Sequence, residues 1–403
     1  VTLLLKEHIA RIEMDRFGPF TFQLGCQGTE IETLFIRVND AHQRFRSSPL
    51  SQVSSQLEKE VVVSSIFGTN SIEGGALSEE ETQQALEIPP SQVQNIEQRR
   101  AANLKTAYDL SRQAASDPEW QLDINFIQQI HAAITDQIPH DRNQPGILRD
   151  NPKSVATHVG DTAHGGRYKP PQYSADIKTL LQALINWQQD LKTQQAPVLI
   201  RASLLHYYYE LIHPFWDGNG RVGRVLEATL LQSEGFQYAP FALARYYFDH
   251  IDQYFTLFNH CRKQAANKQP YPNNAFIEFF LQGLLLSLNN LHDRVNAIIS
   301  FLLFETETKR RHDQKQINTR QYAIVSQILS AGGSVSVTEL RRAVWYQALY
   351  DKLTDKTKQR DLNSLRDQQL VKIDHQNRLW PGCVELDKSK PKGKPDGTHI
   401  KAE

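Results

Sequence analysis

Sulfur is scarce in this chain of 403 residues: it has three cysteines and one methionine. Cys26, Cys261 and Cys383 lie far apart without metal-ligand spacing. That excludes a disulfide framework and a cysteine zinc site, and an odd, sparse count suits a reducing, cytoplasmic setting. Charge of one sign is not in excess either, with 45 Lys plus Arg against 45 Asp plus Glu. No global charge therefore argues for nucleic acid or an acidic partner. Long apolar runs are missing as well. No stretch of about 18 residues is free of charge or strong polarity, so no membrane span is expected. Leu3-Leu4-Leu5 runs straight into Lys6 and Glu7, too short a run for a signal peptide. The start itself, Val1 or Met14, is left open. The length suffices for two or three domains with full cores.

Against this background one stretch stands out, His213-Pro-Phe-Trp-Asp-Gly-Asn-Gly-Arg-Val-Gly-Arg224. Gly218, Gly220 and Gly223 let backbone N–H groups approach an anion. A helix beginning here adds its positive end. Arg221 and Arg224, three apart, share a helix side and can fork onto phosphate oxygens. Asp217 is a hard oxygen ligand suited to Mg²⁺ carried on phosphates, and the Asn219 amide can donate to a phosphate oxygen. His213 is the side chain suited to take a proton from a hydroxyl near neutral pH. A plain glycine-rich interhelical loop would not need all of these together.

Residues 213–224 resemble the Fic motif, His-x-Phe-x-[Asp/Glu]-Gly-Asn-Gly-Arg-x-x-Arg, at every fixed position, and the resemblance extends over roughly residues 60–285. It implies a mainly α fold with a small β-hairpin flap. It also implies transfer of AMP from ATP, with Mg²⁺, to a Ser, Thr or Tyr hydroxyl of a protein, the chain itself included. Thr69-x-x-x-Glu73-Gly74 resembles the inhibitory motif of the same family. There the glutamate pairs with the second arginine of the core motif, here Arg224. Pro145 to Arg149 looks like the segment before the flap, and Tyr254-Phe255 stand where the family often carries two aromatics near the adenine. A deAMPylating enzyme and a nucleotide-sensing, DNA-binding regulator remain as alternatives.

The rest of the chain supplies the frame. An N-terminal helical region, 1–115, holds an inhibitory helix at about 57–74. Residues 1–30 are hard to read, and 1–13 are expected to be loosely attached. Glu30 to Arg46 and Gln94 to Ala114 read as helices. Ser78 and Glu81 form a capping box. The catalytic core is placed at 116–304. In it, Asp123 to Thr135 sets Ile127, Ile130 and Ile134 on one face, and His131 is read as packed or solvated. Val155, Thr157 and Val159 alternate toward a Gly165-Gly166 turn. Val198 to Ile212 is a buried helix that delivers His213, with His206 as a core histidine. A charged linker is expected at Glu305 to Arg311. Residues 312–385 then read as three short helices and a strand pair in winged-helix order. That order leaves DNA binding, a homodimer or peptide reading open. The tail, 386–403, reads as disordered.

Overall fold

The computed structural model describes residues 5–385 except 15, 50–52, 90 and 91; the reading of the tail at 386–403 lies outside the described residues. The chain divides into two compact units, residues 1–50 with 54–292, and 51–53 with 293–403.

The first unit opens with a feature the sequence did not reveal. β1 (Ile9–Met14) and β2 (Gly18–Gln23) pair antiparallel from Ile9↔Gln23 to Met14↔Gly18. Residues 9–13, expected to be loosely attached, are therefore tied into a sheet. Phe20 and Phe22 are buried and pack on Tyr208, with Trp187 stacked on Phe22. The Gln23 N–H donates to the Tyr208 hydroxyl, which donates back to the Gln23 carbonyl, each at 2.9 Å.

Helices make up most of the remainder: α1 (Thr29–Ser47), α2 (Ser54–Ile72), α3 (Glu79–Glu87), α4 (Ile96–Ser116), α5 (Ile124–Thr135), α6 (Ser174–Thr193), α7 (Val198–Ile212), α8 (Asn219–Ser233), α9 (Ala239–Asp249), α10 (Ile251–Ala266) and α11 (Asn274–Asp313), whose residues from 293 on belong to the second unit. Their starts follow local chemistry. Ser78 and Glu81 close the expected capping box, and Asn95 and Asp123 accept from the first-turn N–H groups of α4 and α5. α7 is buried along nearly its whole length and packs on α8, which also packs on α4, α5 and α9. The loop between α7 and α8 is thus held by the core. The expected flap hairpin is slight. It consists of one antiparallel bridge, Val159 with Tyr168, in which each N–H donates to the other's carbonyl at 2.8 Å.

The expected linker at Glu305 to Arg311 is helix, because α11 continues to Asp313. That stretch has no glycine or proline, and Glu307 pairs with Arg310 and Arg311 at one-turn spacing. The second unit continues with α12 (Thr319–Ser330), β3 (Val335–Ser336), α13 (Val337–Arg342), α14 (Val344–Tyr350), α15 (Asp355–Asp367), β4 (Val371–Ile373) and β5 (Arg378–Pro381), with sheet order β3-β5-β4. The expected second helix is two helices, broken where Ala343 turns extended. Ile324, Ile328, Leu365 and Leu379 centre its core. On α15, Lys358 pairs with Asp355 and Arg366 with Asp367, so part of its positive charge is answered locally. Among the described residues no helix is long and apolar enough to cross a membrane.

Candidate active site

His213 caps α7 in the left-handed conformation, φ 49° and ψ 64°. For a side-chain-bearing residue that costs about 1 kcal/mol or more, and the surroundings must impose it. Pro214 cannot continue the helix, and Arg149 fastens the turn. Its backbone N–H donates to the Pro214 carbonyl at 2.9 Å, and its Nε donates to the His213 carbonyl at 2.7 Å. Its two terminal nitrogens donate to Asn151 Oδ1 at 2.7 Å and to the Pro171 carbonyl. Arg149 is fully buried, and burial pulls its guanidinium down to about 10, which leaves it charged near neutrality at the negative end of a helix.

His131 supports the loop from below. Its ring stacks flat on Phe215, 3.6 Å between centroids and 2° between planes. The Gly146 N–H donates to Nδ1 at 2.9 Å, so Nε2 carries the hydrogen and donates to the Asp217 carbonyl at 3.1 Å. Burial lowers this ring to about 4, so it stays neutral. The sequence reading foresaw packing at His131, not this bracing. Asn219 has a task the sequence reading did not give it. Its side-chain carbonyl accepts from the Phe215 N–H and its amide donates to the Phe215 carbonyl, both at 2.9 Å, and it is buried. Its side chain thereby holds the loop closed.

The cradle lies at the start of α8. Gly218 has φ +81°, which suits glycine, and the free N–H groups of the first turn follow. Arg221 donates to both Asp217 oxygens at 3.1 and 3.2 Å. Burial alone would raise the Asp217 carboxyl, but Arg221 and the Gly218 N–H outweigh it and hold the group below its ordinary value. Arg224, 3% exposed in its side chain, donates to Glu73 Oε1 at 2.6 Å, to the Thr69 carbonyl at 3.3 Å and to the Tyr254 hydroxyl at 3.3 Å. Desolvation works against the buried guanidinium, but Tyr254 and Glu73 overcome it and hold Arg224 above its ordinary range. Glu73 arrives there because α2 ends one residue before it and Gly74, at φ +79°, turns the chain away. A Cβ on Gly220 would collide with the Glu73 carboxylate, and one on Gly223 would meet Glu210 Oε1 at 2.6 Å. A side chain at either glycine would therefore displace a glutamate carboxylate from its place.

A cavity of about 300 Å³ joins these groups. Glu73, Gly220 and Arg224 line one side, His213 and Glu210 the floor, Tyr254 and Phe255 another wall, and Val159 and Tyr168 the flap side. His213 is 21% exposed in its side chain, and its Nδ1 lies 3.7 Å from Glu210 Oε2, a neighbour the sequence reading passed over. Phe255 faces the flap, edge-on to His164. The flap turn is tied to α10: Asn259 donates to the Gly166 carbonyl at 2.6 Å, and His164 meets Asp161 and Asp252. Of the residues singled out from sequence, Glu73, His213, Gly220, Arg224, Tyr254 and Phe255 line this cavity, while Thr69, Gly74, Asp217, Gly218, Asn219, Arg221 and Gly223 are not part of its lining.

Comparison with known proteins agrees with this geometry. Residues 121–231 match the Fic/DOC family. The protein adenylyltransferase fic-1 of Caenorhabditis elegans is 26% identical over 205 residues, 49% of this chain and 37% of that protein. A probable protein adenylyltransferase of Aquifex aeolicus is 37% identical over 71 residues, 18% of this chain and 21% of that protein. The chain thus spans well under half the length of these curated relatives. Among solved structures, a Fic family protein from Desulfovibrio desulfuricans superposes with a TM-score of 0.54 at 18% identity, covering 91% of this chain and 98% of that one. A Fic-domain signaling protein from Bacteroides thetaiotaomicron gives 0.53 at 18% identity, covering 67% and 97%. Residues 121–231, which contain the His213–Arg224 loop, are a Fic domain.

Proposed function

We propose that this protein transfers AMP from ATP to a hydroxyl of a protein, and that Glu73 restrains the reaction by holding Arg224. One observation carries the reading: a histidine fixed at a helix end faces the same cavity as a glycine-lined helix N-terminus and a buried arginine. The matched relatives named adenylyltransferases support it.

In this reaction His213 takes the proton from the attacking Ser, Thr or Tyr hydroxyl. The hydroxyl oxygen bonds to the α-phosphorus, the bond from that phosphorus to the bridging oxygen breaks, and pyrophosphate leaves with the bonding pair. Arg224 grips the terminal phosphate and Arg221 the one before it. The first-turn N–H groups of α8 stabilise charge that develops on the α-phosphate. Among the described residues no cluster of three metal-ligating side chains occurs. A single carboxylate at the cradle, Asp217, nevertheless fits a Mg²⁺ that brings its other ligands as phosphates and waters. Asp217 would hold it, and the ion would supply neutralisation of phosphate charge. A target would lie along the flap as an added strand.

Labelled ATP tests the reading. The α-label should appear on protein with wild type and vanish with His213→Ala, while ATP still binds the variant. A γ-label on protein would point to kinase chemistry, and unchanged α-labelling by His213→Ala would remove the base assignment. The reverse reaction, removal of AMP with Glu73 orienting a water, is the second reading. It is favoured by the 30% exposure of the Glu73 side chain at the cavity wall, and loss of AMP from pre-labelled protein would reveal it.

A further inference from the structure

The chemistry above leaves a buried pair without a task. His206 on α7 and Glu227 on α8 are 0% and 2% exposed, and His206 Nδ1 lies 2.6 Å from Glu227 Oε2. The Tyr247 hydroxyl donates to the same oxygen at 2.9 Å. On the other side of the ring, His206 Nε2 lies 2.9 Å from the Tyr254 hydroxyl, which accepts from Arg224 Nη1 at 3.3 Å.

With a neutral imidazole at His206, the ends of this chain fix the direction of every bond. A guanidinium only donates, and a carboxylate between two donors accepts. His206 therefore carries its hydrogen on Nδ1, facing Glu227, and accepts at Nε2. Tyr254 donates to His206, which turns its lone pairs toward Arg224. Without an acceptor at His206 the phenol hydrogen would be free to rotate toward the guanidinium, and the contact with Arg224 would turn repulsive. Such a chain also polarises itself, each bond strengthening the next.

We infer that His206, held by Glu227, is a positioning residue that acts through Tyr254 to set the direction of Arg224, and with it the place of the terminal phosphate. This rests on the proposed function. Arg224 has three partners, and the reaction requires one of them, Glu73, to let go. The Thr69 carbonyl and the Tyr254 hydroxyl then remain. The Tyr254 ring cannot drift, because it stacks on Tyr247 at 4.7 Å and meets Phe258 edge-on. Burying polar side chains such as these is costly unless each is hydrogen-bonded, and packing alone does not require them here.

Binding of ATP and of AMP to the full chain, measured by calorimetry without a target protein, separates orientation of the terminal phosphate from simple folding. The starting protein is Glu73→Gly. Adding Tyr254→Phe, which removes one oxygen, should weaken ATP about tenfold and AMP less than twofold. His206→Phe should give the same selective loss, and the two together should lose no more than either alone. His206→Gln, which can keep an acceptor for the phenol, should recover part of the loss; should His206→Phe not fold, His206→Gln measured beside Tyr254→Phe decides. Unchanged ATP binding in Tyr254→Phe, equal weakening of ATP and AMP, or additive losses would overturn the inference. If Glu73→Gly itself binds ATP no more tightly than AMP, the phosphate assignment of Arg224 fails first, and the role of His206 falls with it.

Discussion

Arg149 never faces the cavity, yet it determines where His213 stands. Its guanidinium supplies the carbonyls of His213 and Pro171, and Asn151, with donors. Arg149→Leu would leave those acceptors buried and unpaired. It should cost roughly 3 kcal/mol or more in stability and lower AMP transfer at least tenfold, read by thermal unfolding beside labelling. Arg149→Lys should not rescue either, because one ammonium nitrogen cannot stand within reach of the acceptors that three separate guanidinium nitrogens meet. His131→Phe keeps the stack on Phe215 but strands the Gly146 N–H and the Asp217 carbonyl, and about 1–3 kcal/mol should be lost. Side chains proposed to meet ligands could be singled out because their chemistry is written in their type and spacing. Residues that brace them were less so: nothing at position 131 marks which backbone groups its ring will reach, and Asn219 reads equally well as a phosphate donor or a loop staple until Phe215 is seen beside it.

Helix α3 was legible from its Ser78–Glu81 capping box, and α5 from apolar residues spaced a turn apart. α7 was legible as buried from composition alone, since apolar residues cover most of its faces. The N-terminal hairpin was not, because its stability comes from Tyr208 and Trp187, far away in sequence. The stretch from Glu305 to Arg311 misled for the opposite reason: high charge suggests a linker, but charges spaced a turn apart also support a helix. The flap carries its own pH dependence. Asp161 and Asp252 hydrogen-bond His164 and raise its ordinary value, while His164 holds Asp161 below its own. A raised histidine stabilises fully below about pH 6.5, and the contribution is lost as pH climbs through the higher folded value; the lowered aspartate contributes above about pH 4. Hydrogen exchange in residues 159–168, corrected for intrinsic rates, should therefore quicken as pH rises above about 6.5, and His164→Gln should remove that difference.

The division into two units fixes where the chain can be cut. Sequence composition suggested that a C-terminal fragment could begin at 312, but the core of the second unit includes Phe301, with Phe304 packed against it. Residues 293–385 should melt cooperatively on their own. Residues 312–385 should be less stable by about 3–5 kcal/mol, the usual loss for a buried phenylalanine, as a denaturant titration of the two fragments would show. The central claim links positions 151 residues apart: the end of α2 reaches into the phosphate cradle of α8 and occupies the arginine that ATP needs. A terminal phosphate held out of place misaligns the α-phosphate, and about 1 Å of misplacement can cost on the order of a hundredfold in rate. The direct measurement is α-labelled AMP on the protein itself, with Mg²⁺, for wild type, Glu73→Gly, and Glu73→Gly with Arg224→Ala. The expected result is labelling raised at least tenfold by Glu73→Gly and lost again in the double variant; labelling equal to or below wild type in Glu73→Gly would contradict the restraint.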